Sequence, residues 1–343
     1  MFSKIFLYKD NLINNIDQLE KVSKKKTCVM IKANAYGHGY SQIISILNDR
    51  IDYFGVSNQD EALQARACTN KDVIVFGACE DYKTCMENDI SFALFSIYDA
   101  KNIVKTARKY DLNPKMHLCI NSGMNRYGVK TEKEFDKIIS YLQKNKIELV
   151  GIYTHFSSLT TDRDYTKRQK EIFKNYLSKL PNSWGTVTHV GGGRSIFEDV
   201  DVDMIRIGLE VYGYGNDFVK PVLSIHSQIV DIQNVEKGEH IGYLCGYTAK
   251  ENMTIATIPL GYGDGLPRKL SNKLVVKING REAKNVGNIC MDAFMVDVTS
   301  INCKVGDDVE IMDDASVLAP LIESTEYEVL TNLSKFRGER IIK

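Results

Sequence analysis

Eight short runs of apolar, β-branched or aromatic residues set the strongest constraint on this chain. They are 28–31 (CVMI), 53–57 (YFGVS), 73–77 (VIVFG), 92–96 (FALFS), 115–121 (KMHLCIN), 148–155 (ELVGIYTH), 186–192 (TVTHVGG) and 204–208 (MIRIG). Segments of helical length and period lie between most of them, such as YSQIISILND and TKRQKEIFKNYLSKL. The last gap, Gly193 to Asp203, is short and is expected to make the weakest helix. Near-continuous apolar strands joined by helical crossovers describe a parallel sheet covered on both faces. Eight such strands close a TIM-type (β/α)8 barrel. A doubly wound open sheet is the competing architecture, and the barrel is preferred.

The texture changes after Gly215. Strand-like runs follow without helices: VLSIHSQIVDIQNV, MTIATIPL, LVVKI, FMVDV and VGDDVEIMD. Asn279-Gly280 signals a hairpin, because a type I′ turn needs positive φ at both central positions. Short helical stretches are expected only around Ala315–Glu323 and Tyr327–Lys335. The reading is an α/β chain in two domains. Residues 1–217 form the barrel, with the first few residues free to pair with the second domain, and 218–343 form a mostly-β domain.

Composition narrows the function classes. With 343 residues and 43% hydrophobic content, the chain can bury a sizeable core. Its 44 basic and 44 acidic residues cancel, leaving no electrostatic case for nucleic acid or an anionic membrane. Lys24-Lys25-Lys26 reads as a solvated loop. Eight cysteines without a CxxC pair read as free thiols in a reducing compartment rather than a metal or disulfide framework. The first residues lack the apolar core of a signal peptide. No window reaches the ~18 apolar residues of a membrane span. A cytoplasmic protein without a metal is expected.

Chemistry in such barrels sits at the C-terminal ends of the strands. The first run ends in Lys32, then Tyr36. The fifth ends at Asn121, with Arg126 close behind. The sixth ends in His155, the seventh in Gly191-Gly192-Gly193, and the eighth carries Arg206 and ends at Gly208. Loops after the last two strands form the usual phosphate site of this fold, where glycines let backbone N–H groups approach the anion. A lysine at a strand end is ordinarily a solvated terminus. Set opposite a phosphate site, it reads as a Schiff-base amine, which must be partly desolvated to react. A phosphorylated aldehyde with a lysine partner is pyridoxal 5′-phosphate.

Arg206 is either a member of a buried ion pair or the partner of the cofactor's ring nitrogen. In the second role it would leave that nitrogen unprotonated and the ring a weaker electron sink. That suits returning a proton to Cα and discourages transamination. His155 is ordinarily a hydrogen-bonded core histidine. Here it is expected to orient Arg206 or a catalytic hydroxyl.

These residues lie in motifs that resemble the alanine racemases: VMIKANAYGHGY, SGMNRYGVK, GIYTHFS, MIRIGLEVYG, IPLGYGDGLPR, VGNICMDAFMVDV and YEVLTNLSKFRGER, in that order from about Asp10 to Arg340. The resemblance implies a barrel plus a β domain in a head-to-tail homodimer with shared active sites. Lys32 resembles the cofactor lysine and one catalytic base. Tyr243, 19 residues before the tyrosine of GYGDG, corresponds to the second base, reaching in from the partner. Tyr262 is similar to a tyrosine of the substrate channel. Tyr36 and Tyr327 resemble phosphate-site tyrosines, and Gly208 and Leu209 would offer backbone N–H groups. Arg126 resembles the arginine that contacts the cofactor's phenolic oxygen and the substrate carboxylate. Met291 and Asp292 of the partner would lie by the substrate.

Racemisation takes the Cα proton from one face and returns one to the other, so bases on both faces suit it. Amines and phenols have reference pKa values near 10, so such a site must tune them down. The resemblance implies that Arg206, relayed through His155, helps Tyr243.

The sequence departs from the family pattern in places. An Asn-Ser pair usually follows the seventh strand, but here the segment is HVGGGRSIF, and Gly192, Gly193 or Ser195 would hold the phosphate. Many members carry a carbamylated lysine seven residues before the substrate arginine. Here that position is Cys119, so another anion steadies Arg126 or none does. The strand around Tyr243 reads GYLCGY.

The expected activity is racemisation of a small amino acid, alanine first, supplying D-alanine for peptidoglycan. Tyr327 argues for a small substrate side chain. A serine or broad-specificity racemase is the first alternative. A decarboxylase of similar plan is the second, and Arg206 speaks against it, because those enzymes set an acidic residue at the ring nitrogen. A non-catalytic cofactor carrier is a third, and the second domain speaks against it.

Overall fold

The computed structural model describes residues 2–192 and 194–343, so Gly193 lies outside the described residues. The chain divides into two compact units. One comprises Ile13–Lys32 and Ile43–Val211; the other comprises Met1–Leu12, Ala33–Gln42 and Tyr212–Lys343.

In the first unit, eight parallel strands close a barrel: β2 (Lys26–Met30), β3 (Tyr53–Val56), β4 (Asp72–Val75), β5 (Ser91–Leu94), β6 (Met116–Cys119), β7 (Gly151–His155), β8 (Val187–Gly191) and β9 (Met204–Ile207). Each falls on an expected run. Closure rests on β2, which pairs with β3 on one side and β9 on the other. That pairing rules out the open sheet.

Crossover helices show ordinary start signals. Asn58, Ser96, Thr131 and Asp162 each cap a helix, with a side-chain oxygen accepting a backbone N–H. Apolar helix faces then pack on the barrel. Phe54, Phe92, Phe135 and Phe173 are fully buried, each contributing about 1.5–3 kcal/mol by leaving water. The expected helix between Gly193 and Asp203 is absent from the described residues. A 3-10 turn, Ser195–Phe197, stands there instead. Gly192 and Arg194 have φ of 131° and 64°, which no right-handed helix accommodates.

The second unit begins with β1 (Lys4–Leu7), which pairs antiparallel with β10 (Leu223–Gln228) and parallel with a strand at the C-terminus. The remaining strands are β11 (Asp231–Val235), β12 (His240–Ile241), β13 (Tyr247–Thr248), β14 (Met253–Ile258), β15 (Val275–Ile278), β16 (Arg281–Lys284), β17 (Phe294–Asp297), β18 (Asp308–Met312) and β19 (Glu339–Ile342). One sheet runs β16-β15-β18-β10-β1-β19, and a smaller one runs β11-β14-β17. Asn279 and Gly280, at φ 50° and 74°, make the expected turn between β15 and β16. Of the two late helical stretches, the first is split. Ala315–Leu318 gives way to a 3-10 turn at Pro320–Ile322, because proline has no N–H to continue an α-helix. The second is a helix over Glu326–Asn332.

Candidate active site

Lys32 follows β2, one residue past the point where Ile31 N donates to Gly55 O. It is half-buried. Burial lowers its pKa most, the Arg126 and Arg206 guanidiniums add to the fall, and Glu61 opposes them. A lysine in that position is uncharged more often than one in water, as a nucleophilic amine requires.

Arg206, on β9, is 6% exposed. Both terminal nitrogens of its guanidinium have a partner. Nη1 donates to Nδ1 of His189 at 2.8 Å and Nη2 donates to the Thr154 carbonyl at 2.9 Å. The Phe76 and Tyr153 rings flank it, with centroids 4.8 and 4.7 Å from Cζ. His189 in turn shares a 2.8 Å hydrogen bond between its Nε2 and Nδ1 of His117. Since Arg206 can only donate, His189 accepts at Nδ1, carries its proton on Nε2 and donates to His117. The tautomers follow from this network.

Burial, then Arg206, holds both rings neutral: His117 falls to about 3 and His189 well below its ordinary value. Two glycines make room for the group. A Cβ on Gly151 would sit 1.9 Å from the His117 ring, and one on Gly191 would sit 2.6 Å from Arg206.

This corrects the expectation for His155. No hydrogen bond joins its ring to Arg206 among the described residues; His189 and the Thr154 carbonyl hold the guanidinium. Register explains why. Arg206 pairs across with Gly191, and His189 stands two residues back on the same face of β8. His155 is paired with Gly191 from the other side. It is a neutral ring, pushed to about 3 by burial and then by Arg206, Arg126 and Lys32. His189 and His117 were missed in the sequence, where they read as strand interior. Period-two spacing between His189 and Gly191, opposite an arginine, was the available signal.

Arg126 is exposed and lies 5.8 Å from the Tyr127 ring centroid. No ion pair holds it among the described residues. Cys119 does not replace the missing anion. Burial pushes its thiol up to about 11, and the sulfur donates to Tyr127 O at 3.7 Å.

After β8, Ser195 is buried and its hydroxyl has no partner among the described residues. Glu210, also buried, escaped sequence reading. Its carboxylate accepts from Arg194 N at 2.8 Å and from Gly208 N at 3.4 Å, linking the loops after β8 and β9. An unsatisfied buried hydroxyl at Ser195, in a unit where the Arg126 and Arg206 guanidiniums disfavour charge on Lys32, fits an anionic ligand. The donor set therefore suits a phosphorylated aldehyde.

In the second unit, the residues after Lys32 form a turn of left-handed helix. Ala33, Asn34 and Ala35 have φ of 51°, 54° and 54° and ψ of 50°, 49° and 51°, and Tyr36 follows at φ 53°. Each such residue costs about 1–2 kcal/mol, so the surroundings must impose the turn. They do so by hydrogen bonding. Gly37 N donates to Ala33 O, Gly39 N to Asn34 O, and Tyr40 N to the Asn34 side chain. The buried His38 ring donates from Nδ1 to the Ala35 and Tyr36 carbonyls at 3.0 and 3.1 Å. The turn brings Tyr36 against Tyr212 and Tyr327, at centroid distances of 5.1 and 5.9 Å. Two expected phosphate tyrosines thus meet.

Tyr243 is 71% exposed, on a 3-10 turn between β12 and β13. Asn288 Nδ2 donates to its carbonyl at 2.8 Å. Tyr262 N donates to Cys290 O at 3.1 Å, and Gly263 N to Met291 O at 2.9 Å. Tyr262 and Met291 are also exposed. Asp292 pairs with Arg337 at 2.7 Å, and Arg337 also grips the buried Asp264. Gly208 and Leu209 follow β9, and Leu209 is buried.

Residues 8–216 match the family model for the alanine racemase N-terminal domain, and residues 222–342 match that for the C-terminal domain. A curated alanine racemase of Francisella philomiragia is 30% identical, over 98% of this chain and 97% of that protein. The structure of an alanine racemase from Clostridium difficile 630 superposes with a TM-score of 0.94 at 29% identity, covering 100% of this chain and 96% of that one. A complex of that protein with cycloserine gives 0.91 at 29% identity, with the same coverage.

Proposed function

The chain belongs to the alanine racemase family, whose members are isomerases, and on that premise we propose that it interconverts L- and D-alanine with pyridoxal 5′-phosphate. The observation that carries the reading is Lys32, an amine at the end of a barrel strand whose charge is disfavoured by burial and by two guanidiniums. The bound cofactor would supply an aldehyde for that amine and an electron-accepting ring that acidifies the substrate Cα–H.

The chain's own residues do the rest. Lys32 takes and returns the Cα proton on one face. The partner's Tyr243 does so on the other. Arg206, cationic while both histidines behind it stay neutral, would donate to the ring nitrogen. Tyr36, Tyr327, Ser195, Gly192 and the N–H groups of Gly208 and Leu209 would hold the phosphate, and neutral His155 would contact the cofactor. Arg126 takes the substrate carboxylate, and Met291, Asp292 and Tyr262 of the partner border the substrate. A homodimer follows from this assignment. The exposure of the Tyr243, Tyr262 and Met291 side chains supports it. We take residues 1–217 as the cofactor domain and 218–343 as the domain that reaches the partner. The product D-alanine would feed peptidoglycan in the cytoplasm.

Chiral detection of products from L-alanine, L-serine and L-lysine tests the substrate. Turnover of L-alanine well above the other two is expected. Lys32→Ala should lose the covalently held cofactor, read as loss of its absorbance and of borohydride fixation. Tyr243→Phe should keep the cofactor and lose most turnover, with the deficit concentrated on L-alanine as substrate. Full two-way turnover by Tyr243→Phe would assign the second base elsewhere.

A further inference from the structure

Two of the eight cysteines are in contact. β4 runs out into a loop that begins at Phe76 and carries Cys79. Asp81 caps the helix Tyr82–Glu87, which carries Cys85. The Sγ atoms of Cys79 and Cys85 lie 3.1 Å apart. Cys85 is fully buried and Cys79 is half-exposed. The segment between them is fixed at several points. Gln59 Oε1 accepts from Asp81 N at 2.9 Å and from the Cys79 thiol at 3.6 Å. Asp81 accepts from Lys83 N at 3.0 Å and from the Thr84 hydroxyl at 2.6 Å. Backbone and helix start therefore hold the two sulfurs together, and only about 1 Å of closure separates them from a disulfide bond length.

We propose that Cys79 and Cys85 form a redox pair that hydrogen peroxide closes to an intrachain disulfide. The half-exposed thiol is the one a peroxide can reach. It is also the better nucleophile, because the hydrogen bond from Cys85 favours its thiolate. The Cys79 sulfur attacks one peroxide oxygen, the O–O bond breaks, and hydroxide leaves and takes up the thiol proton as water. Cys79 is then a sulfenic acid. Cys85 is held as a thiol first by its bond to Cys79 and then by burial, and oxidation of Cys79 removes the first of these. The Cys85 sulfur attacks the Cys79 sulfur, the S–O bond breaks, and a second water leaves with the remaining proton. Two thiols lose two electrons and the peroxide gains them. The loop so tied begins at the ring that packs on Arg206, so a redox signal would be written beside the barrel's central cation.

The test uses the whole, reduced protein. It is treated with stoichiometric hydrogen peroxide without denaturant, blocked with N-ethylmaleimide and cut with trypsin. Cleavage at Lys83 puts Cys79 and Cys85 on different peptides, residues 72–83 and 84–101. The expected product is these two peptides joined, two hydrogens lighter than their sum, and separated again by dithiothreitol. In Cys85→Ser, dimedone should label Cys79, since the resolving thiol is gone. Recovery of both cysteines as maleimide adducts at a peroxide dose that oxidises the exposed Cys68 would overturn the proposal. So would a joined pair that forms only in urea.

Discussion

Replacing His189 by leucine isolates what the buried Arg206–His189–His117 chain does. The ring is fully buried and makes two hydrogen bonds, accepting from Arg206 and donating to His117. Leucine leaves a charged donor without its acceptor, at about 1.5–3 kcal/mol, and strands the His117 Nδ1 acceptor, at about 1–3 kcal/mol. The expected loss at pH 7.5 is about 3–5 kcal/mol. The pH dependence then separates this chain from a simple packing defect. His189 has its pKa depressed in the folded protein by burial, then by Arg206 and His117. Folding therefore excludes a proton that the unfolded ring binds. The stability this contributes is complete above the unfolded value of about 6.5 and is lost as pH falls below it. In that range each such ring removes about 1.4 kcal/mol per pH unit. His117, held at about 3, behaves alike. The variant lacks one of the two rings, so its deficit should shrink by about 2 kcal/mol between pH 6.5 and pH 5. Urea unfolding followed by the fluorescence of Trp184, the chain's single tryptophan, reads the barrel unit directly. A loss below about 1 kcal/mol at pH 7.5, or a deficit that stays constant or grows toward pH 5, would refute the assigned tautomers and the neutrality of the chain.

Glu210→Leu removes the acceptor shared by Arg194 N and Gly208 N. Cofactor-free protein should lose about 1–3 kcal/mol, and pyridoxal phosphate should raise its melting temperature more than it raises that of the parent. Equal shifts would mean that the carboxylate lies outside the phosphate's reach. Phe54→Ala empties a fully buried site on β3 and should cost about 3–5 kcal/mol in urea unfolding. A cost under 1 kcal/mol would mean that the barrel wall relaxes into the void.

The barrel was legible because each strand is apolar throughout and each crossover has a helical period; those patterns follow from burial on both faces and need no knowledge of neighbours. The hairpin at Asn279-Gly280 was legible from its turn residues, and Lys32 and Arg206 stood out because each sets a cation in or at the end of an apolar strand. Glu210 was not, because a glutamate in GLEVYG gives no local sign that it will be buried between two loops. The Cys79–Cys85 contact was not either, since their spacing matches no redox or metal motif and only the cap at Asp81 brings the sulfurs together.

What the sequence determined by itself is which residues are buried along each element, and hence the alternation that makes a (β/α)8 barrel followed by a β domain. What the tertiary structure alone decided is which buried groups become lateral neighbours. His189 rather than His155 holds Arg206, because strand register sets Gly191 opposite the arginine and leaves open the space toward His189. Periodicity is a property of one segment, whereas register belongs to a pair of strands, and a single chain read end to end does not contain it.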